Sequence, residues 1–193
     1  MDLINYLDQI DKEVFLFLNG FHSPVSDAIM VFFTDKRTWI PFYVLIIAYY
    51  LWKFKWRGLL PIGSIVLAII LADHFASSFC KPFFERLRPC HQPEIAHLVH
   101  TTIKGCGGKY SFISSHAANT FALAMFLFQY FRQKIKYAAW IFMWSGLVSY
   151  SRIAVGVHYP GDIIVGAASG MLWGYLAFLI FQFAKGKLEW ENP

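Results

Sequence analysis

His158 and Asp162 stand in an arrangement that suits nucleophilic chemistry. Asp162 follows His158 by four residues, and Pro160 and Gly161 force a turn between them. A carboxylate held on one imidazole nitrogen fixes the tautomer and leaves the other nitrogen free to attack an electrophile. The pair therefore predicts a histidine nucleophile that is supported by an aspartate.

Cationic and hydroxyl side chains elsewhere predict that the electrophile is a phosphate group. Lys81 and Arg88 are seven residues apart, about two helical turns, so they share nearly the same face. Arg152 interrupts an otherwise apolar helix, where a charge is costly unless it faces a polar site. Arginine binds a phosphate dianion through two parallel hydrogen bonds, and lysine acts as a point charge. Ser114 adds a hydroxyl donor, and the backbone N–H groups around Ser115 lie at a helix start, which favours anions.

Apolar helices must position these groups. Five segments dominated by apolar residues are 39–52, 58–80, 117–131, 137–157 and 163–184. Some are shorter than the ~20 residues that a span needs, and flanking lysine and arginine stems can reach the interface and lengthen them. Residues 25–34 are too few to span unaided, so the first crossing is expected to include part of the preceding helix.

These segments predict an all-α fold, a six-transmembrane helix bundle in a single domain that covers residues 1–193. The alternation that a membrane barrel requires is absent. The candidate groups follow the third segment, precede the fourth and lie where the fifth passes into the sixth. Because helix directions alternate, all three clusters are expected on one membrane face.

Residues 3–21 predict an amphipathic helix at the N-terminus. Its apolar residues recur at steps of three and four, as Leu3, Leu7, Ile10, Val14, Phe17 and Phe21. The charged residues between them are Asp2, Asp8, Asp11, Lys12 and Glu13. An acidic polar face is not attracted to anionic lipid, so this helix is expected at the interface or packed on the bundle.

Composition agrees with a membrane protein and argues against a nucleic-acid binder. Only 15% of the 193 residues are charged, and 57% are hydrophobic, whereas soluble domains carry about 25% charge. Lysines and arginines recur between apolar runs and form no single basic patch. The N-terminus lacks the pattern of a cleaved signal, so insertion is expected to use the chain's own hydrophobic segments.

The order and spacing of these residues resemble the three-part signature of the type 2 phosphatidic acid phosphatase (PAP2) superfamily. The three parts are Lys81 with six residues before Arg88-Pro89, then Ser114-Ser115-His116, then Ser151-Arg152 with five residues before His158 and three more before Asp162. The second part departs from the family pattern, because Ile113-Ser114-Ser115-His116 stands where Pro-Ser-Gly-His is usual. Ser115 supplies a backbone N–H only if its conformation suits a residue with a side chain.

The resemblance implies a metal-independent lipid phosphatase or diphosphatase without a cofactor. His158 would attack phosphorus and form a phosphohistidine, Asp162 would orient it, and His116 would protonate the leaving oxygen and then activate water. The phosphate oxygens would be held by Lys81, Arg88, Ser114, Arg152 and the Ser115 backbone. Three cations supply the charge that phosphoryl transfer needs. The substrate stays open among phosphatidic acid, phosphatidylglycerol phosphate, undecaprenyl pyrophosphate and a lipid A phosphate, and so does the oligomeric state.

Two other functions fit part of the pattern. A lipid or anion transporter would use the same cationic pocket but has no need of the His158 and Asp162 pair. A vanadate-binding haloperoxidase shares the signature, but such enzymes are soluble and the apolar spans argue against one. Asp73 could either support the cations or make a helix contact. The loop histidines His91, His97 and His100 match no zinc pattern.

The distribution of basic residues predicts the orientation of the site. Nine lysines and arginines, Lys12 among them, are counted on the side of the short loops at 53–57 and 132–136, against eight on the site side. Three of those eight have a phosphate to bind, which leaves five. The short loops and both termini are therefore expected in the cytoplasm and the site at the periplasmic face of a bacterial inner membrane. Cys90 and Cys106 could then form a disulfide, with free thiols as the alternative, while Cys80 stays reduced.

Overall fold

Helices form nearly all regular structure in the computed structural model, which describes residues 3–188. The α-helices are α1 Leu3–Asn19, α2 Pro24–Thr34, α3 Ile40–Phe54, α4 Leu59–His74, α5 Lys81–Phe84, α6 Ser115–Phe131, α7 Ile141–Ala154 and α8 Pro160–Lys187. A π-helical segment, Phe75–Cys80, joins α4 to α5. Each of the six predicted apolar segments is helical, so the predicted all-α bundle is confirmed.

Two helical stretches within residues 3–188 are long and apolar enough to cross a membrane, namely Lys36–Phe84 and Pro160–Lys187. The first stretch contains both α3 and α4, which form a hairpin. Lys55, at a φ of 53°, ends α3, and the backbone at Gly58 lies directly against the Tyr50 carbonyl. The pair α1 and α2 qualifies as a third stretch when taken together, although the two helices meet at 117°.

The close pairing of α6 with α8 forms the centre of the bundle. Gly166, Gly170 and Gly174 lie four residues apart on α8 and face α6. A Cβ atom at Gly170 or Gly174 would overlap the carbonyl oxygen of Ala118 or Ala122. Small residues at this spacing let membrane helices approach closely, so these glycines bring the starts of α6 and α8 to the same end of the bundle.

Local capping fixes the first turns of those two helices. The Ser114 N–H donates to the Asp162 carbonyl at 3.1 Å, which ties the start of α6 to α8. Pro160 at the first position of α8 is pre-set for a helix. The Asp162 carboxylate reaches back to the Tyr159 N–H at 3.0 Å and caps the helix. The residue predicted to orient His158 is therefore itself held by the helix start.

Helix α1 is amphipathic, as predicted, and its polar face is the one that meets the protein. Leu3, Leu7 and Phe17 are exposed, whereas Phe15 and Asn19 are buried. Asp2 lies outside the described residues. In a lipid environment an apolar face can remain outside the bundle, and polar groups gain most by finding partners inside it.

The position of Lys12 corrects the predicted count of charges. Its Nζ lies 2.8 Å from Glu94 Oε2 in the long loop, so α1 lies at the site end of the bundle. The prediction had placed Lys12 and the N-terminal segment with the short loops, and that assignment was wrong. Sequence periodicity identified the helix but could not tell at which end of the bundle it packs.

The long loop between α5 and α6 is closed by a disulfide. Cys90 and Cys106 are bonded, with their Cα atoms 6.0 Å apart, and Cys80 is a buried free thiol. The disulfide is one of the two outcomes that the sequence left open for Cys90 and Cys106, and the free Cys80 confirms the prediction made for that residue. The side chain of Asn19 in α1 ties the loop to the bundle, because it accepts from the His100 N–H at 2.8 Å and donates to the Ala154 carbonyl at 3.1 Å.

Candidate active site

His158 and Asp162 are almost fully removed from solvent, with 1% and 0% of their surfaces exposed. His158 Nδ1 lies 3.3 Å from Asp162 Oδ2, and the same oxygen accepts the Tyr159 N–H. Because the carboxylate faces Nδ1, Nε2 is the nitrogen that is left to attack. The structure thus forms the pair that the four-residue spacing predicted.

The surroundings of His158 favour its neutral ring. Burial lowers the pKa of His158 most, and the positive charges of Arg152, Arg88 and Lys81 lower it further. A neutral imidazole is the form that attacks, so this histidine is ready to react at neutral pH. Helix α5 ends at Phe84, so Lys81 and Arg88 do not share the helix face that their spacing predicted. The fold nevertheless brings both of them and Arg152 within electrostatic reach of one ring.

Lys81 and Arg88 are anchored by different partners. Lys81 Nζ donates to Ser115 Oγ at 3.1 Å. Arg88 donates to the carbonyl oxygens of Cys106 at 2.6 Å and Tyr110 at 3.3 Å. The disulfide-closed loop therefore holds one cation, while the start of α6 holds the other.

Arg152 has spare hydrogen-bonding capacity. Its guanidinium donates to Thr34 Oγ1, and its Nε has no hydrogen-bond partner within residues 3–188. Arg88 and Arg152 line a cavity of about 460 Å³, with Lys36 and Lys104 also in its wall. A cavity of this size lies in the range of small-molecule sites, about 300–1,000 Å³.

His116 lies in the first turn of α6 and faces a second cavity. Its ring hydrogen-bonds the Thr34 backbone, and burial together with the positive charge of Arg152 lowers the pKa of His116. The second cavity measures about 210 Å³ and includes Ser115. Its wall also carries the polar residues Thr34, Lys36, Asn119 and Thr120, and the apolar part includes Trp39, Tyr43, Ile69, Leu123 and Val148. The reaction centre therefore borders a space inside the bundle that is lined by both polar and apolar side chains.

The two adjacent serines are used differently. Ser114 is fully buried and its Oγ accepts the Ala117 N–H at 3.4 Å, so its side chain caps α6. Ser115 Oγ accepts a hydrogen bond from Lys81 Nζ and lies 2.9 Å from Ser77 Oγ. The Ser115 side chain is therefore part of the cation cluster. Ser115 has no positive φ, so the departure from the usual glycine costs no backbone strain.

Arg86 and Ser111 also contact the histidine–aspartate pair, and the sequence prediction missed both. Arg86 NH1 lies 2.9 Å from Asp162 Oδ1. Ser111 hydrogen-bonds Asp162 through its side chain, and its backbone hydrogen-bonds His158. Arg86 falls between Lys81 and Arg88 and would ordinarily be taken for a topology anchor. The acidic face of α1 was the available signal, because such a face needs a cationic partner.

Other residues that the sequence raised as candidates make structural contacts. Asp73 accepts from Asn119 at 2.9 Å, which links α4 to α6, and its negative charge also acts on Lys81, so both alternatives raised for it apply. His100 Nε2 lies 2.8 Å from Asp27 in α2. Potential metal-ligating atoms of Cys90, His91 and Cys106 lie within 4.8 Å of one another. Both sulfur atoms of that group are committed to the disulfide.

An apolar helix bundle with a histidine–aspartate pair among cations is the architecture of a membrane phosphatase. The family model of the PAP2 superfamily matches residues 57–185, and the chain belongs to that superfamily. It is an integral membrane lipid phosphatase of the PAP2 type.

Two relatives and one solved structure are similar to the chain over most of its length. The chain is 39% identical to the lipid A 4′-phosphatase of Bacteroides thetaiotaomicron, over 99% of this chain and 85% of that protein. It is 31% identical to the undecaprenyl-diphosphatase BcrC of Bacillus subtilis, over 88% of this chain and 83% of that protein. The crystal structure of LpxE from Aquifex aeolicus superposes with a TM-score of 0.66 at 26% identity, covering 86% of this chain and 92% of that one.

Proposed function

We propose that the protein removes a phosphate from a lipid A-type phosphoglycolipid through a phosphohistidine on His158. The observation that carries this proposal is the buried pair of His158 and Asp162 among the charges of Lys81, Arg88 and Arg152. Phosphoryl transfer depends on alignment and on neutralising the phosphate oxygens, and a neutral imidazole surrounded by cations meets both needs.

The reaction has two steps. In the first, His158 Nε2 attacks phosphorus, and a P–N bond forms as the bond from phosphorus to the leaving oxygen breaks. The negative charge of the bound phosphate offsets the burial that lowers the pKa of His116 and favours its protonated form, which donates a proton to that oxygen. Asp162 stabilises the positive charge on His158. In the second, His116 takes a proton from water, whose oxygen attacks phosphorus. The P–N bond then breaks and inorganic phosphate leaves. No metal takes part, because the cations hold the phosphate oxygens.

The two cavities support a lipid that has a large polar headgroup. The wall of the larger cavity carries the cationic residues Lys36, Arg37, Arg88, Lys104 and Arg152, together with Asp35. That charge suits a headgroup with more than one anionic group. The smaller cavity adjoins His116 and has a mixed wall, in which Trp39, Ile69 and Leu123 offer an apolar surface that suits the start of the acyl portion. The higher identity to a lipid A 4′-phosphatase than to an undecaprenyl-diphosphatase favours the glycolipid.

A lipid panel assayed in EDTA tests this function. The purified protein is expected to release inorganic phosphate from a lipid A-type disaccharide with a higher kcat/KM than from undecaprenyl diphosphate, phosphatidylglycerol phosphate or phosphatidic acid. Because Lys81, Arg88 and Arg152 already neutralise the charge on the phosphate oxygens, adding Mg²⁺ after EDTA should not raise the rate. Preference for undecaprenyl diphosphate would overturn the substrate, and a strict Mg²⁺ requirement would overturn the mechanism. Lipid binding without phosphate release would favour a transporter.

We infer that the site faces the periplasm of a bacterial inner membrane. With Lys12 moved to the site side, eight basic residues remain with the short loops and nine lie with the site. Three of the nine, Lys81, Arg88 and Arg152, serve the phosphate, which leaves eight against six. Orientation follows basic residues in short loops, so the cytoplasmic assignment of residues 53–57 and 132–136 stands. The disulfide in the long loop agrees, because disulfides persist in oxidising compartments.

Thiol labelling of intact cells tests this orientation. A single cysteine is placed at position 97 or at position 134 in a cysteine-free background, since both side chains are exposed. An impermeant reagent is expected to label position 97 and to leave position 134 unlabelled until the cells are lysed. Lipid phosphatase activity of each variant serves as the folding control. Labelling at 134 but not at 97 would invert the topology and the leaflet that supplies the substrate.

A further inference from the structure

Arg86 lies at the centre of three carboxylates from two helices. Its NH2 lies 2.8 Å from Asp8 Oδ1, and its NH1 lies 2.8 Å from Asp11 Oδ2 and 2.9 Å from Asp162 Oδ1. The guanidinium also stacks over the Tyr159 ring, with 3.9 Å between its carbon and the ring centroid. The side chain is therefore fixed on its face and on both of its outer nitrogens.

This arrangement joins α1 to the turn that carries the nucleophile. Asp11 Oδ1 accepts the Gly161 N–H at 2.8 Å, three residues after His158. The Asp11 carboxylate packs closely against the Gly161 backbone, because a Cβ atom at Gly161 would lie 2.7 Å from Asp11 Oδ2. Helix α1 thus contacts the turn directly through Asp11 and indirectly through Arg86.

Asp162 needs a counter-charge if it is to remain ionised. Its side chain is fully buried, and a buried carboxylate without a partner takes up a proton. Among the described residues, Arg86 is the one permanent cation in salt-bridge contact with Asp162. A protonated Asp162 could not stabilise the positive charge that forms on His158 when it attacks phosphorus.

We propose that Arg86, held by Asp8 and Asp11 of α1, is a positioning residue that keeps Asp162 ionised and directed at His158 Nδ1. The proposal rests on the proposed function, in which His158 is the nucleophile. It gives the N-terminal helix a part in catalysis, because the carboxylates of α1 hold the arginine that supports the pair. Arg86 acts through Asp162 and does not touch the transferred phosphate.

The test compares Arg86→Gln and Arg86→Lys with the unmodified protein. Arg86→Gln is expected to lower kcat by about 10²-fold, the scale of a displaced catalytic group. KM should stay within about threefold, because the arginine binds no substrate. Arg86→Lys restores the charge and should recover part of kcat. Glu94→Gln is the matched control, since it removes another ion pair between α1 and the long loop and leaves every contact of Arg86 in place.

A double-mutant cycle separates positioning from a general loss of structure. In an Asp162→Asn background, Arg86→Gln should cause no further loss of kcat, because the group through which it acts is already neutral. A second full loss in that background, or a KM that rises with kcat unchanged, would overturn the proposal. If Arg86→Gln fails to fold, the double variant Asp8→Asn with Asp11→Asn replaces it. That variant should lower kcat by about 10-fold, and an unchanged kcat would overturn the proposal.

Two controls keep this proposal distinct from the proposed function. Full activity of His158→Ala would remove the nucleophile and the proposed function with it. An inactive His158→Ala together with a fully active Arg86→Gln would overturn the role of Arg86 and leave the nucleophile in place.

Discussion

Replacing His158 by alanine is expected to lower turnover by about 10⁴-fold or more, the scale seen when a nucleophile is removed from a preorganised site. Lipid binding should survive, because Lys81, Arg88 and Arg152 still hold the phosphate. The rate of phosphate release and the binding of lipid by the inactive variant are both measured. His97→Ala is the matched control, since His97 is an exposed loop histidine outside the site.

His116→Ala provides the informative comparison. With a poor leaving group it should slow the first step, because no proton reaches the departing oxygen. With a good leaving group the first step continues without that proton. The second step then stalls, and phosphate should accumulate on His158. Rapid quenching with a radiolabelled phosphate ester measures that intermediate. Full turnover by His158→Ala, or label on protein that lacks His158, would contradict the mechanism.

The fold could be predicted because lipid imposes strong constraints on sequence. Backbone groups inside a membrane must pair within their own segment, so runs of apolar residues identify helices directly. The same logic could not orient α1. Its period defined an apolar and an acidic face, but both a solvated and an inward acidic face satisfy that pattern. The acidic face of α1 points inward because it pairs with Arg86, which is 75 residues from Asp11 in the sequence.

The candidate site was partly predictable for a different reason. The sequence spacing predicted that His158, Asp162 and Lys81 belong to the site. These residues lie within or next to regular helices, where the number of residues between two side chains determines their relative directions. The contacts between Arg152 and Thr34, and between Arg88 and the disulfide-closed loop, join distant segments and leave no local pattern. Positioning residues such as Arg86 are hidden from spacing arguments because tertiary packing selects them.

Arg152→Lys is expected to lower kcat/KM by about 10²- to 10³-fold, the range for losing one donor to a transition-state oxyanion. Lysine keeps the charge but cannot offer the planar pair of N–H groups that phosphate accepts. The position is sensitive because Arg152 lines the larger cavity, and within residues 3–188 its guanidinium is held by a hydrogen bond to Thr34 Oγ1. A guanidinium has five N–H groups, so one hydrogen bond leaves others to meet a phosphate in the cavity.

Vanadate inhibition distinguishes this role of Arg152 from a structural one. Vanadate resembles the five-coordinate transition state, so its inhibition constant should rise in parallel with the loss of kcat/KM. Thr34→Val is the matched variant, because it removes the hydrogen bond to the guanidinium and leaves the charge in place. It should cost less than Arg152→Lys in both measurements. A large loss of kcat/KM in Arg152→Lys with unchanged vanadate inhibition would show that Arg152 acts on the fold and not on the transferring phosphoryl group.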